Sequence, residues 1–194
     1  MKSIILASTS EYRQALLKKL GLPFLAVAPN IDETPILQES AQALVMRLSH
    51  EKANALTKQY PQHLIIGSDQ ICVIDNNIVG KPHTFENAFK QLKAASGQKV
   101  TFYTGLCLID SATNQFNVQC EPFDVYFRSL TDEEIANYLN KDEPYQCAGS
   151  FKSEGLGVSL FDKLSGRDPN TLIGLPTILL LEMLRQHGVN PLLD

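Results

Sequence analysis

The sequence predicts an α/β protein with a mixed β-sheet, and two observations support this. In the first third of the chain, short apolar segments alternate with segments whose apolar residues recur at helical spacing. In the middle, the segments 98–109 and 115–127 read as two long strands joined by a polar turn near 111–114. Alternating strands and helices favour parallel pairing, whereas a β-ribbon pairs antiparallel, so both should be present.

The elements at the start of the chain follow from local signals. A strand is predicted over residues 4–7, a helix after it to about Leu20, and a second strand over 23–28. Ser10 is the natural N-cap of the helix, and Gly21 ends it.

A loop over 29–39 precedes a long helix, predicted for residues 40–60. Apolar residues recur along one face of this helix, and Lys52 lies within the same arc. A lysine there either extends its ammonium to the solvent or directs it into a site, and both interpretations remain open.

The remaining elements are predicted from the same signals. In chain order they are the central strand ending at Ile74, a hairpin turn at 75–77, a helix over 84–96, the two long strands, a capped helix over 131–140, a loop with a strand edge over 147–157, a strand over 158–161 and a helix over 176–186. No repeat or clear linker is visible, so residues 1–194 are predicted to form one domain, with a division into lobes around 97–150 compatible with the pattern.

Composition excludes several classes of function. The chain has 194 residues and a net charge of −4, so it lacks the basic footprint of a nucleic-acid polymer binder. Four cysteines, none in a C-x-x-C pair, are expected to be free thiols in a reducing compartment: Cys72, Cys107, Cys120 and Cys147. No signal peptide or transmembrane span is visible, so a cytoplasmic protein without a membrane partner is predicted.

The central apolar run at residues 65–70 ends in small residues and one carboxylate, Asp69. Its apolar residues suit a strand that is covered on both faces. Gly67 and Ser68 leave room for another group to approach the backbone. An ionised Asp69 at the end of such a strand requires a cation, although a turn cap or a pair with a nearby lysine would also account for it.

A short Ser-rich loop between the first strand and the first helix is a candidate anion site. Helix N-terminal amides and the helix dipole favour negative charge. Ser8 and Ser10 add hydroxyl donors, and Arg13 in the first turn can bind a phosphate with two N–H groups. The alternative is an ordinary N-cap followed by a surface arginine.

Further charged residues stand at element ends or in loops. The cations are Arg13, Lys52 and Lys81, and the carboxylates are Glu33, Asp69 and Asp32. Triphosphate hydrolysis requires such a set, because carboxylates hold Mg²⁺ or Mn²⁺ and cations neutralise phosphate oxygens. One carboxylate can instead activate the attacking water.

Seven short segments together resemble the Maf family of nucleoside triphosphate pyrophosphatases. They are Ala7-Ser8-Thr9-Ser10 with Arg13, Asp32-Glu33-Thr34, Glu51-Lys52-Ala53, Gly67-Ser68-Asp69-Gln70, Gly80-Lys81-Pro82, Ala148-Gly149 and Gly174-Leu175-Pro176. The resemblance implies an elongated mixed α/β fold related to inosine triphosphate pyrophosphatases, with the site in a cleft between two lobes. It also implies metal-dependent cleavage of a nucleoside triphosphate between the α and β phosphates, in proteins that often form homodimers.

The resemblance also implies roles for individual residues. Asp69 matches the family's proton acceptor, and Glu33 matches a carboxylate that serves the metal. Whether Asp69 or Glu33 is the main metal ligand stays open. Ser8, Arg13, Lys52 and Lys81 match phosphate-binding positions. This chain has Glu11 where many members have proline, and either residue suits a first helical turn.

Three residues resemble the branch of the family that acts on 7-methyl-GTP. They are Tyr12, Gln70 and Glu154, where the dTTP and UTP branch typically has Arg, Thr and Gln. An aromatic face favours the cationic ring of an N7-methylated purine, a carboxylate can accept hydrogen bonds from the guanine N1–H and amino group, and Gln70 could contact another base edge. Taken alone, Tyr12 could be helix packing and Glu154 a solvated loop residue.

The sequence therefore favours a hydrolase acting on 7-methyl-GTP. The alternatives are the same reaction on dTTP, UTP or other non-standard nucleotides, and a nucleotide-binding regulator of cell division whose hydrolysis is incidental. The full set of cations and carboxylates argues against a pure binding module, because binding alone needs no general base.

Overall fold

The computed structural model describes residues 2–193. Within them, seven strands form one sheet in the order β2-β1-β3-β5-β6-β7, with β4 paired to β3. The strands are β1 (Ile4–Ala7), β2 (Phe24–Val27), β3 (Leu64–Ile74), β4 (Asn77–Val79), β5 (Lys99–Asp110), β6 (Gln115–Phe127) and β7 (Phe161–Ser165). Because β1 pairs parallel with β2 and β3, whereas β3–β4 and β6–β7 are antiparallel, the predicted mixed sheet is confirmed.

Helices make up most of the remaining regular structure. They are α1 (Glu11–Lys19), α2 (Ala41–Asn54), α3 (Phe85–Ala95), α4 (Asp132–Asp142), α5 (Pro169–Ile173) and α6 (Thr177–Gln186), with two 3₁₀ segments at Ala148–Ser150 and Leu156–Leu160. No helix within residues 2–193 combines the length and the apolar character needed to cross a membrane.

The chain divides into two compact units. The first contains the chain up to Asp69, Thr104–Glu121 and the chain from Asp168 onward, and the second contains Gln70–Tyr103 and Pro122–Arg167. These bounds differ from the division considered around 97–150, because β3, β5 and β6 each contribute residues to both units.

Most predicted elements are confirmed. Ser10 caps α1 by accepting a hydrogen bond from the Arg13 amide at 3.4 Å. Asp75 and Asn76 form the β3–β4 turn with φ values of 48° and 62°, and Thr131 opens α4 with the predicted capping box. The described cysteines are all free, as expected.

Two predictions were wrong in extent or type. The helix predicted to reach residue 60 ends at Asn54. After it, the chain forms turns whose hydrogen bonds span three residues instead of four, such as Leu56 N–H to Ala53 O. The strand predicted over 158–161 is the end of a 3₁₀ segment. Its Gly157 lies so close to Lys152 that an added Cβ would be 2.3 Å from the Lys152 carbonyl oxygen, and β7 begins only at Phe161.

Alternate residues of β1 and β3 belong to two different apolar clusters of the first unit. Ile4, Leu6 and Ile66 pack in one cluster, and Ile5 and Ile65 pack in the other. Because successive side chains of a strand point to opposite faces, these strands are buried on both faces, as the continuous apolar run predicted.

Helix α2 lies unusually close to the sheet at two glycines. A Cβ added to Gly67 in β3 would be 2.0 Å from the Ser49 carbonyl oxygen, and one added to Gly105 in β5 would be 2.3 Å from the Val45 carbonyl oxygen. Both contacts are with helix backbone, which has little freedom to move aside. The room predicted at Gly67 is therefore occupied by α2.

Replacing Gly105 with alanine tests this packing. The Gly105→Ala side chain would collide with the backbone of α2, so we expect the free energy of unfolding to fall by about 1–3 kcal/mol. Urea denaturation measures it. The control is Gly80→Ala, whose Cβ would meet no atom within 4 Å and should change stability by less than about 0.5 kcal/mol. Equal stability of the two variants would contradict the close approach.

Candidate active site

The centre of the first unit's polar site is the ammonium of Lys52. It lies 2.5 Å from Asp69 Oδ1 and 3.1 Å from Glu33 Oε1. The Lys52 and Asp69 side chains are 8% and 10% exposed, whereas Glu33 is 58% exposed. Lys52 therefore does not extend its ammonium to the solvent, and Asp69 has the lysine partner that was one of the explanations considered for it.

The packing of α2 accounts for this pair. Ser49 contacts Gly67, Lys52 lies three residues further along α2, and Asp69 lies two residues further along β3. Ser49 also donates a hydrogen bond to the Val45 carbonyl at 2.6 Å, so it needs no partner from the sheet. The helix can therefore approach β3 closely enough to bring the two charged side chains together.

In the loop between β1 and α1, serine hydroxyls accept hydrogen bonds from nearby backbone amides. Ser8, which is buried, accepts a hydrogen bond from the Ser10 amide at 3.1 Å. Ser10 in turn accepts from the Arg13 amide. Two amides that could have faced an anion therefore already have partners, while the hydrogen of each hydroxyl remains a possible donor.

Arg13 is anchored by a residue distant in sequence. Its Nε donates to the Gly174 carbonyl at 2.8 Å, and Ser68 donates to the same oxygen at 3.0 Å and to the Gly105 carbonyl at 2.8 Å. Gly174 has φ +116°, a backbone conformation that favours glycine, and an added Cβ would be 3.5 Å from Arg13 Nε. The remaining N–H groups of Arg13 have no partner among residues 2–193.

Burial and charge act in opposite directions on Arg13. Burial lowers the pKa of its guanidinium, and the negative charges of Asp69 and Glu33 raise it, with a net decrease. Because an arginine keeps its proton at neutral pH, Arg13 contributes a positive charge to the group that contains Lys52, Asp69 and Glu33.

Gly174 ends a short helix, α5, that sequence reasoning missed. Asp168, 1% exposed, accepts hydrogen bonds from the Asn170 amide, the Thr177 hydroxyl and the Ile178 amide, so one carboxylate caps α5 and also binds the start of α6. The sequence signal was Asp followed by Pro169, which is typical of a helix start.

Three predicted site residues belong to the second unit. Lys81 is exposed and has no partner within the described residues, Gln70 is partly buried, and Glu154 is exposed and accepts from the Ser153 hydroxyl at 3.3 Å. Gln91 Nε2 donates to the Gly80 carbonyl at 3.1 Å, and the Ser150 hydroxyl donates to Gln91 Oε1 at 2.5 Å. Gln91 thus joins the turn of Lys81 to the segment that leads to Glu154, a role that its helical position did not predict.

Two further residues of the first unit lie on the outer part of α1. Tyr12 is 39% exposed, and Glu11 is exposed beside it. Asp32 is exposed and accepts hydrogen bonds from the Thr34 amide and hydroxyl, which lower its pKa. Asp32 therefore stabilises a turn next to Glu33.

A divalent metal such as Mg²⁺ requires several oxygen ligands around one point. Within residues 2–193, no group of three or more His, Cys, Asp or Glu residues is arranged to hold a metal ion. Asp69 and Glu33, however, meet at one ammonium, and two carboxylates are what Mg²⁺ commonly takes from a protein when phosphates and water complete its shell. The two carboxylates therefore fit part of the ligand shell of a divalent metal.

The thiols do not contribute to this chemistry. Burial raises the pKa of Cys107 to about 12 and, together with Glu121, that of Cys120 to about 11. Burial also raises the pKa of Cys72. Because the thiolate is the nucleophilic form, the raised pKa values make these three thiols weaker nucleophiles at neutral pH.

The site and fold thus define an α/β protein whose paired cations and carboxylates suit phosphate chemistry. The chain matches the family of Maf-like proteins over residues 3–187 and belongs to this family. Maf proteins are typically nucleotide pyrophosphatases, so the chain is a hydrolase of the class that acts on acid anhydrides.

Two solved structures are also similar to this chain. A HAM1 protein from Coxiella burnetii is 14% identical with a TM-score of 0.44, over 66% of this chain and 73% of that one. The Staphylococcus aureus Ham1 protein is 14% identical with a TM-score of 0.42, over 65% of this chain and 72% of that one. Both TM-scores are too low for these likenesses to bear on fold or activity.

The buried pair can be tested through stability. Lys52→Met leaves the Asp69 carboxylate without its cation, so the free energy of unfolding should fall by about 3 kcal/mol. Lys52→Met/Asp69→Asn removes both charges and should recover most of that loss. Urea denaturation at pH 7 measures both variants. A double variant no more stable than Lys52→Met would contradict a buried ion pair.

Proposed function

We propose that this protein hydrolyses 7-methyl-GTP to 7-methyl-GMP and pyrophosphate. The observation that carries the proposal is the buried Lys52 ammonium between Asp69 and Glu33, in a chain of the Maf family. This arrangement supplies a cation for phosphate oxygens beside a carboxylate able to accept a proton.

In the proposed reaction, Arg13 and Lys52 bind the triphosphate, and the Ser8 and Ser10 hydroxyls donate hydrogen bonds to it. The oxygen of a water forms a bond to the α-phosphorus, Asp69 accepts the proton of that water, and the bond to the oxygen bridging the α and β phosphates breaks. Pyrophosphate takes the electron pair of that bond and leaves. Hydrolysis needs no oxidant, reductant or further co-reactant.

Binding of the triphosphate would change the partners of Lys52. In the free protein its ammonium contacts two carboxylates, so its positive charge is already balanced by negative charge. Phosphate oxygens that compete for the ammonium would leave Asp69 freer to accept a proton. Glu33, the more exposed carboxylate, would be released first.

Glu33 and Asp69 would hold the divalent metal. Mg²⁺ or Mn²⁺, when bound, supplies positive charge that offsets the charge of the phosphates. The protein's part is to direct both carboxylates to the same point.

The choice of 7-methyl-GTP is supported by three residues of the resemblance. Tyr12 offers an aromatic face to a cationic purine, Glu154 offers a carboxylate to the guanine N1–H and amino group, and Gln70 could contact another edge. Lys81 would bind a phosphate, and it has no competing partner among residues 2–193. Cytoplasmic location remains a prediction from the sequence, and a homodimer remains an implication of the family resemblance.

A substrate panel tests the proposal. The protein is incubated with Mg²⁺ or Mn²⁺ and 7-methyl-GTP, GTP, dTTP, UTP or ITP, and released pyrophosphate is measured. We expect 7-methyl-GTP to have the highest kcat/KM.

Glu154→Gln tests how the base is bound. This substitution should lower kcat/KM for 7-methyl-GTP more than kcat/KM for GTP, because the carboxylate charge matters most to a cationic ring.

The control for Glu154→Gln is Glu133→Gln, which neutralises another exposed carboxylate of the second unit. A preference for dTTP or UTP would overturn the choice of substrate. Tight nucleotide binding without any hydrolysis would favour the regulator of cell division.

Asp69→Asn tests the proton acceptor. An amide cannot accept the proton, so kcat should fall about 10²- to 10⁴-fold. The fold should persist, because Lys52 keeps Glu33 as a partner. The control is Asp110→Asn, which removes the charge of a second buried aspartate paired with a lysine, Lys2. Wild-type turnover in Asp69→Asn would exclude Asp69 as the base.

A further inference from the structure

We propose that Arg47 is a positioning residue that holds Glu33 beside Lys52. The inference rests on the proposed function, because it concerns the carboxylate assigned to the metal and to Lys52. Arg47 is on α2, five residues before Lys52, and it was not among the residues that sequence reasoning selected.

The guanidinium of Arg47 binds the loop that carries Glu33. Its Nε and Nη2 donate to the two carboxylate oxygens of Glu39 at 2.8 and 2.9 Å. Its Nη2 also donates to the carbonyl of Thr34 at 3.2 Å, and Thr34 is the residue directly after Glu33. Helix α2 therefore holds both the start and the end of the segment 34–39.

The same loop is closed by its own side chains. Asp32 Oδ1 accepts from the Thr34 amide at 2.9 Å and from the Thr34 hydroxyl at 2.6 Å. Glu39 Oε2 accepts from the Ile36 amide at 3.2 Å. Thr34 is thus bound both by Asp32 and by Arg47, and these contacts fix the residues on either side of Glu33.

Glu33 has little else to hold it. Its side chain is 58% exposed, and its one direct ion pair among the described residues is with Lys52. An exposed ion pair of this kind contributes little by itself, because ordering a long side chain offsets the attraction. The position of Glu33 must therefore come from the backbone that carries it, and Arg47 supplies the contact between that backbone and α2.

The bond between Arg47 and Glu39 is suited to this task. Two parallel N–H to oxygen bonds fix orientation as well as distance, which a lysine cannot reproduce. The side chains are 20% and 9% exposed, so water competes less than at an open surface. Hydrogen bonding to Glu39 raises the pKa of Arg47, and the same bond lowers the pKa of Glu39, so both stay charged at neutral pH.

An ordinary surface role would look different. Arg47 also donates to Glu51 at 3.1 Å, an i,i+4 pair of the kind that commonly stabilises a helix. If that pair were the purpose of Arg47, its loss would weaken α2 slightly and leave Glu33 unaffected. Three of the four hydrogen bonds that Arg47 donates to described residues, however, are to the loop.

The test measures the Lys52 side chain directly. The ¹³Cε signal of Lys52 is recorded in protein with ε-labelled lysine and assigned by its absence in Lys52→Arg. Glu33→Gln should shift this signal. Arg47→Ala should shift it in the same direction, and Arg47→Ala/Glu33→Gln should add no further shift. Arg47→Lys should behave like Arg47→Ala, since an ammonium cannot bridge Glu39 and Thr34 in the same way.

Kinetics supply the second readout. Arg47→Ala should lower kcat/KM for the panel's best nucleotide roughly 10- to 100-fold, the scale expected when a group is misplaced. In the Glu33→Gln background, Arg47→Ala should lower kcat/KM less than about threefold. The two effects should not add, because Arg47 is proposed to act through Glu33. The matched control is Glu51→Ala, which removes the helix pair alone and should leave the Lys52 signal in place.

An unshifted Lys52 signal in Arg47→Ala, or full rescue by Arg47→Lys, would overturn the proposal. The proposal would also fail if the loss of kcat/KM in Arg47→Ala/Glu33→Gln equalled the product of the losses in the two single variants. If no nucleotide is hydrolysed, the proposed function fails, but the Lys52 signal still decides whether Arg47 positions Glu33. The two ideas therefore fail on different measurements.

Discussion

The close approach of α2 to the sheet is the constraint on which the rest of the site depends. Gly67 and Gly105 allow the helix backbone to lie where a Cβ would otherwise be. As a consequence, Lys52 reaches Asp69, which lies in the middle of β3 and not at the strand end that the sequence suggested. The same helix holds the Glu33 loop through Arg47. One element thus brings together a buried cation and two carboxylates that lie far apart in the sequence.

The four charged residues around Lys52 have charges of opposite sign close to one another. Arg13 and Lys52 are positive, and Asp69 and Glu33 are negative, so no charge of this group is buried without an opposite charge nearby. Such a group needs no ligand to balance its charges. In the proposed reaction, the free N–H groups of Arg13 and the exposed Glu33 are where a triphosphate would first exchange partners with it.

Local signals predicted local structure well and distant contacts poorly. The N-cap at Ser10, the turn at Asp75 and Asn76, and the capping box at Thr131 are decided within a few residues, and all three are confirmed. The predicted strand over 158–161 was wrong because its apolar residues suit a 3₁₀ segment equally well. Short apolar runs do not distinguish these structures.

By itself, the sequence determined the class of fold, the family resemblance and the inventory of charged groups, since these depend on composition, periodicity and short motifs. Asp69 was suspect because a carboxylate at the end of an apolar run needs a partner. Only the tertiary structure decided which cation that partner is, because Lys52 lies 17 positions away and meets Asp69 through the packing of α2. It also decided the roles of Gly174 and Arg47, whose hydrogen-bond partners cannot be read from neighbouring residues.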